Sequence, residues 1–167
     1  MPKINEKKYE NIVLYFLEKL GGVLKGKKKL AKLLYFVDFD YYEKYEDHFT
    51  GDEYRAQPMG PLPIHMTKIV SKLELAKKIK IGYEKLDGVE HKCEVYQAIK
   101  KPDLSVFSKQ EKAMLDRVIK IYGGLSGGQL ENLSHQEAPY TGTSLGKPIM
   151  YELALYRGTD FSSLSHA

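Results

Sequence analysis

The histidine, cysteine and acidic residues of this sequence are the side chains that could hold a metal ion or carry out catalysis. The chain has a single cysteine, Cys93, and its five histidines, at positions 48, 65, 91, 135 and 166, are scattered. Zinc sites take their ligands from such residues, usually as short-spaced pairs. Folding could gather Asp38, His65 and His135 into a site, but most isolated histidines are simply hydrogen-bonded polar groups. We therefore expect no metal site.

Known catalytic motifs are incomplete in this sequence. It contains neither the H-E-x-x-H motif of metalloproteases nor the G-x-S-x-G motif of serine hydrolases. The glycines at 123, 124, 127 and 128 lack the preceding strand and the lysine of a phosphate-binding loop, so they indicate helix ends. His135-x-Glu137 resembles half of a zinc deaminase signature, whose cysteine pair is missing. We predict that the chain is not an enzyme and needs no cofactor.

The basic residues are concentrated in one short stretch. The net charge is only +4, from 26 Lys and Arg against 22 Asp and Glu. The concentrated residues, here called the lysine cluster, are Lys25, Lys27, Lys28, Lys29 and Lys32. They could make weak phosphate contacts, and helices followed by a hairpin are typical of winged-helix DNA readers. No helix carries the Arg, Asn and Gln group that reads bases, so a nucleic-acid-binding regulator is the alternative hypothesis.

Cysteine usage and hydropathy predict where the protein works. A lone cysteine cannot form an internal disulfide, which favours a reducing compartment. Residues 1–8 are polar and charged, and no stretch approaches the ~20 apolar residues of a membrane span. We expect a cytoplasmic protein with no membrane contact. Its 13 tyrosines suit a core boundary or a protein interface, because each couples an apolar ring to a hydroxyl.

The N-terminal half is predicted to form three helices. Asn5 is expected to cap the first, which ends at the glycines 21 and 22. The second, from residue 27 to about 46, has apolar residues around most of its circumference, so it is either central to the core or presents a second stripe to a partner.

Thr50-Gly51-Asp52 predicts a turn, and residues 53–57 predict a short strand. Three prolines in residues 58–63 predict a rigid loop without regular structure, with Pro63 in the first turn of a third helix.

A β-hairpin is predicted from about 79–86 and 92–99, with its turn at Asp87-Gly88. A two-residue turn would pair Ile81 with Glu94, whereas a three-residue loop at 87–89 would pair Ile81 with Val95. The second register keeps the apolar residues of both strands on one face, and we therefore prefer it.

The C-terminal half is predicted to be helical. Capping boxes at Ser108-x-x-Glu111 and Ser126-x-x-Gln129 begin two helices. A loop around residues 138–142 precedes a last helix from 148 to about 156, and a short flexible tail starts at about 158. The predicted fold is α+β and mainly helical, with about six helices, in a single domain spanning residues 1–167.

Three segments together resemble the Panacea domain, a SocA-like antitoxin family of bacteria and phages. Residues 32–38, KLLYFVD, resemble its K-L-L-Y-[LF]-x-D helix. Residues 50–63 are similar to its turn, short strand and Gly-Pro loop, and residues 133–140 to its L-S-H-x-x-x-P-[WY] element. Tyr140 stands where relatives often have Trp, which keeps an aromatic ring at that position.

The resemblance implies a small helical domain with a few strands that neutralises a cognate toxin protein by direct contact, without enzyme activity. Aromatic residues beside a stiff Pro-Gly loop are suitable anchors for such an interface. The predicted protein-binding residues are Tyr35, Tyr54, Gln57, Gly60, Pro61, His135 and Tyr140.

Overall fold

Helices and two small antiparallel sheets build the fold in a computed structural model that describes residues 2–85 and 92–164. The helices are α1 (Glu6–Lys19), α2 (Lys27–Tyr45), α3 (Met66–Leu75), α4 (Lys109–Tyr122), α5 (Gly127–His135) and α6 (Ala138–Thr141). The strands are β1 (Val23–Lys25), β2 (Tyr54–Gln57), β3 (Gly60–Pro63), β4 (Ile79–Lys85) and β5 (Lys92–Ala98). Short 3-10 helices occupy Leu104–Val106 and Tyr151–Tyr156. The predicted α+β, mainly helical class is confirmed.

Helix α2 is the centre of the core. Every residue from 30 to 41 is buried, and α4, α5, β3 and the second 3-10 helix pack around it. The second apolar stripe of α2 is covered by aromatic contacts within the protein: Tyr35 stacks on Phe39 at 4.7 Å, and Phe39 stacks on Tyr151 at 4.5 Å between ring centroids. A helix that is apolar on all sides gains most from this position, so the central placement is confirmed.

Three of the predicted helix starts are confirmed by their capping contacts. Asn5 accepts a hydrogen bond from the backbone N–H of Lys8 at 3.1 Å. Ser108 and Glu111 form a reciprocal capping box at the start of α4, and Ser126 and Gln129 form another at α5. Each box satisfies two backbone donors that a helix leaves without partners at its first turn.

Residues 58–63 do not form the irregular loop that their prolines predict. Gly60–Pro63 is strand β3, which pairs antiparallel with β2, with Gln57 opposite Gly60. In an antiparallel pair, every second residue turns its N–H away from the neighbouring strand. Pro61 and Pro63 occupy these positions, so their lack of an N–H does not disturb the pairing. The N–H of Ile64 continues the bonding set by donating to Glu53 O at 3.0 Å. The prediction of a loop was wrong, as was the placement of Pro63 in the first turn of α3.

The β4–β5 hairpin is confirmed, but both proposed registers are wrong. Ile81 lies opposite Tyr96, and neither Val95 nor Glu94 takes that place. The cause is strand β1, which the sequence did not reveal: it pairs with the other side of β5 and sets Leu24 opposite Tyr96, where both side chains are buried. Burial of this pair fixes the register. The predicted turn at residues 87 and 88 lies outside the described residues.

The C-terminal residues differ from prediction in detail. Residues 138–142, predicted as a loop, contain α6, and the last helix begins only at Tyr151. Residues 146–149 instead run beside β2: Ala56 N–H donates to Lys147 O at 3.1 Å and Ile149 N–H donates to Tyr54 O at 2.7 Å. Thr159 bonds to Glu43 through both its N–H and its hydroxyl.

The single domain and the flexible tail stay predictions. In the part of the chain that is described, no helix combines the length and apolar character needed to cross a bilayer.

Candidate functional site

The two segments that carry most of the predicted site residues, the β2–β3 turn and residues 135–140, meet in space. Residues 57–60 form the turn between β2 and β3, here called the hairpin tip, and Tyr140 lies against it on α6. The Tyr140 hydroxyl donates to Gln57 O at 2.7 Å, and its ring stacks on His135 with 4.6 Å between centroids. An element from the middle of the chain is thus tied to one near its end.

Gly60 and Pro61 are bonded to α2 and lie close to α5. Lys32 extends from α2 and its Nζ donates to Pro61 O at 2.9 Å. Burial lowers the pKa of Lys32 to about 8. Gly60 has a φ of +105°, and a Cβ at this position would lie 3.0 Å from Lys32 Nζ and from Ser134 Oγ. Only glycine gives both this backbone conformation and this close approach at low cost.

Tyr35 and Tyr54 lie beneath the surface. Both are fully buried, with their rings packed edge to face at 6.1 Å. The Tyr35 hydroxyl donates to Glu137 at 2.7 Å, in the turn between α5 and α6, while Tyr54 donates to Asp38. In this structure the two tyrosines position the site from within. Contact of any of the seven residues with a partner stays a prediction.

A buried carboxyl on α2 organises the strand that leads to the hairpin tip. Asp38 accepts hydrogen bonds from the N–H of Thr50 at 2.8 Å, from the Thr50 hydroxyl at 2.6 Å and from Tyr54. Burial raises the pKa of Asp38 to about 7, although these hydrogen bonds act to lower it. Burial disfavours the charged form of an acid, and here it outweighs the donors.

A second network, which sequence reasoning missed, fastens the C-terminal residues to α2. Arg157 pairs with Asp40 at 2.6 Å, with Glu43 at 2.8 Å and with Glu137 at 2.9 Å, and Arg117 pairs with Asp40 at 2.8 Å. Burial acts to lower the pKa of Arg157, but its acidic neighbours, Asp40 first, raise it above its ordinary value. The sequence signal that could have indicated buried ion pairs is the presence of two acids, Asp38 and Asp40, within the apolar stretch of α2.

The lysine cluster is largely engaged within the protein. Lys25 pairs with Glu84 at 3.0 Å and Lys28 with Glu131 at 3.4 Å. Lys29 donates to Gly123 O at 2.7 Å, and the buried Lys32 donates to Pro61 O. Lys27 is exposed. Nucleic-acid contact through these residues stays a prediction.

The three residues considered for a metal site lie in different environments. His65 Nδ1 is 2.7 Å from the buried Asp52, His135 stacks on Tyr140, and Asp38 faces Thr50 and Tyr54. Within residues 2–85 and 92–164, no three His, Cys, Asp or Glu side chains are grouped so as to hold a metal ion. The polar residues of this region therefore hold the loops in position, and the side chains that remain on the surface are available to contact another molecule.

Replacing Gly60 with alanine should destabilise the protein by about 1–3 kcal/mol, because the new Cβ would be strained at a positive φ and crowd Lys32. Urea denaturation measures the loss. Gly82→Ala is the matched control, since a Cβ there has no neighbour within 4 Å. Equal stability of the two variants would show that the hairpin tip does not require glycine.

Asp38 should make stability depend on pH. Its folded-state pKa of about 7 exceeds the ordinary 3.8, so its contribution is fully present below about pH 4 and lost as the pH rises through 7. The free energy of unfolding of the wild type, relative to Asp38→Asn, should therefore fall by a few kcal/mol between pH 4 and 8, at about 1.4 kcal/mol per pKa unit. Urea denaturation across this range measures it, with the exposed Glu18→Gln as control. A difference that stays constant with pH would contradict the prediction.

Comparison with known protein families identifies the family of this chain. A family model described as antitoxin SocA-like, Panacea domain, matches residues 30–140. The match runs from the buried part of α2 through the hairpin tip to Tyr140, and covers well over half of the chain. No curated protein and no solved structure matches. The chain therefore belongs to the antitoxin SocA-like family of Panacea domains.

Proposed function

We propose that this protein is the antitoxin of a toxin–antitoxin pair and neutralises a cognate toxin protein by binding it directly. The observation that carries the proposal is the surface formed where the hairpin tip meets the His135–Tyr140 stack. Family membership supports an antitoxin-like role, and this surface supports direct contact as its mechanism. The chain would act in the cytoplasm, where its lone cysteine can stay reduced.

The surface is fixed before any partner arrives. Tyr140 bonds to Gln57 in the hairpin tip, and Lys32 bonds to Pro61, the residue that follows it. Beneath it, Tyr35 and Arg157 both bond to Glu137, which fixes the turn that carries His135 and Tyr140. Ordering loops and side chains on association costs free energy, so a preformed surface leaves more of the contact energy for affinity.

Exposed apolar side chains flank this surface. Met59 at the hairpin tip is 59% exposed, and Leu145 is 65% exposed in the loop that follows α6. The N–H of Gly146 donates to Ala56 O at 2.6 Å, which brings the Leu145 loop beside the end of β2. Exposed apolar groups beside aromatic residues are typical of protein interfaces.

Binding without catalysis is consistent with how the polar residues are used. Asp38, Asp40 and Asp52 are buried and hydrogen-bonded within the protein, so they are occupied in holding elements together. To keep a toxin inactive, the affinity should be nanomolar or better, about −12 kcal/mol, from an interface of roughly 1,600 Å². The surface around the hairpin tip would form part of such an interface.

Replacing Tyr140 with alanine should weaken neutralisation at least tenfold, or about 1.4 kcal/mol, because the variant loses both the ring on His135 and the bond to Gln57. Growth of cells that express a toxic neighbouring gene together with each antitoxin variant measures neutralisation. Tyr140→Phe keeps the stack and should lie between wild type and Tyr140→Ala. Tyr83→Ala, which removes an exposed tyrosine from the other sheet, is the matched control.

The thermal stability of the same variants decides how the result is interpreted. Tyr140→Ala should unfold within a few degrees of the wild type. If it melts far below the wild type, Tyr140 serves core packing and not recognition. If no neighbouring gene is toxic, or co-expression never relieves toxicity, the antitoxin proposal fails.

A further inference from the structure

A groove opens between the first turns of α2 and the hairpin tip. It has a volume of about 420 Å³, which is within the range of small binding pockets, about 300–1,000 Å³. Its main lining residues are Lys27, Lys28, Ala31, Pro58, Met59 and Leu62. The groove therefore shares the hairpin tip with the surface proposed above.

The walls of the groove are largely apolar. Met59 and Pro58 from the hairpin tip are exposed, Leu62 from β3 is half-buried, and Ala31 contributes its methyl group from α2. Lys32 lies behind them with its ammonium turned to Pro61 O. An apolar wall of this kind gains free energy when it takes an apolar side chain out of water, at about 25 cal/mol per Å².

The mouth of the groove is positive. Helix α2 begins with three lysines, has no acidic residue in its first turn, and receives no side-chain cap from Gly26. The N-terminal end of a helix carries partial positive charge and is stabilised by anions, so cations there are unfavourable on their own. Lys28 forms an ion pair with Glu131 at 3.4 Å, whereas Lys27 is exposed and makes no ion pair within the described residues.

We propose that this groove takes an apolar side chain of the partner protein that is flanked by Asp or Glu residues. The apolar group packs against Met59 and Leu62, and the flanking carboxylates lie at Lys27 and Lys28. The inference rests on the proposed function and names the chemistry of the toxin segment. A nucleic acid backbone would match the lysines but leave the apolar wall uncovered, so a protein segment fits better.

The test uses a blocked pentapeptide, Glu-Asp-Leu-Asp-Glu, titrated into the full ¹⁵N-labelled chain. Saturable shifts are expected at the backbone amides of Ala31, Met59 and Leu62. Two comparison peptides separate the contributions: replacing Leu by Ser removes the apolar anchor, and Lys-Lys-Leu-Lys-Lys reverses the charge. Each should bind at least tenfold more weakly. Equal binding of the three peptides, or shifts away from the groove, would overturn the proposal.

Two exposed positions provide variants that should fold normally. Lys27→Glu should weaken the acidic peptide at least tenfold and strengthen the basic one, whereas Met59→Ser should weaken both. Lys109→Glu, an exposed charge reversal at the start of α4, is the matched control and should change neither. A DNA duplex of twelve base pairs that shifts the same amides at lower concentration, with affinity falling steeply with salt, would also overturn the proposal.

Neutralisation assays with these variants separate the two proposals. If Lys27→Glu and Met59→Ser neutralise as well as the wild type while Tyr140→Ala does not, the groove inference fails and the antitoxin proposal stands. If no variant and no wild type relieves toxicity, the antitoxin proposal fails. The peptide titration still decides the chemistry of the groove in that case, because it does not use the toxin.

Discussion

The buried acids of α2 are the constraint on which the rest of the structure depends. Isolated carboxylates in a protein interior cost several kcal/mol, so each must find donors elsewhere in the chain. Asp38 finds Thr50 and Tyr54, and Asp40 finds Arg117 and Arg157. The central helix thereby gathers β2, α4 and the C-terminal residues. Strand β2 leads into the hairpin tip, and Arg157 also bonds to Glu137 in the turn before Tyr140.

Local sequence signals predicted the elements whose causes are local. The capping contacts of Asn5, Ser108 and Ser126 lie within four residues of their partners, and all three helix starts are where the sequence indicated. Apolar residues around α2 left two placements open, and the structure shows the central one. The family resemblance, based on residues 32–38, 50–63 and 133–140, is confirmed by the match over residues 30–140.

Features that depend on distant partners were not predictable in the same way. The register of β4 and β5 was wrong because β1 decides it, and three residues are too few to show a strand pattern. Strand β3 was not predictable from its prolines, which usually interrupt strands, because only the pairing with β2 shows that they lie at alternate positions that need no N–H donor. Arg157 bonds to Asp40 across 117 positions of sequence, a pairing that no spacing reveals. Five of the seven predicted site residues nevertheless lie at or beside the hairpin tip, whereas Tyr35 and Tyr54 are buried beneath the surface.

The way in which β2 and β3 are flanked limits how a second protein can attach. Residues 146–149 already occupy the free side of β2, and the outer side of β3 presents Pro61 and Pro63, which have no N–H to offer. An incoming strand would find no ladder to extend, so recognition by sheet extension is closed at this hairpin. Discrimination must then reside in side chains on a fixed backbone. Exposed side chains such as Met59 can be replaced without altering the strands beneath them, because the backbone pairing of β2 and β3 does not involve those side chains.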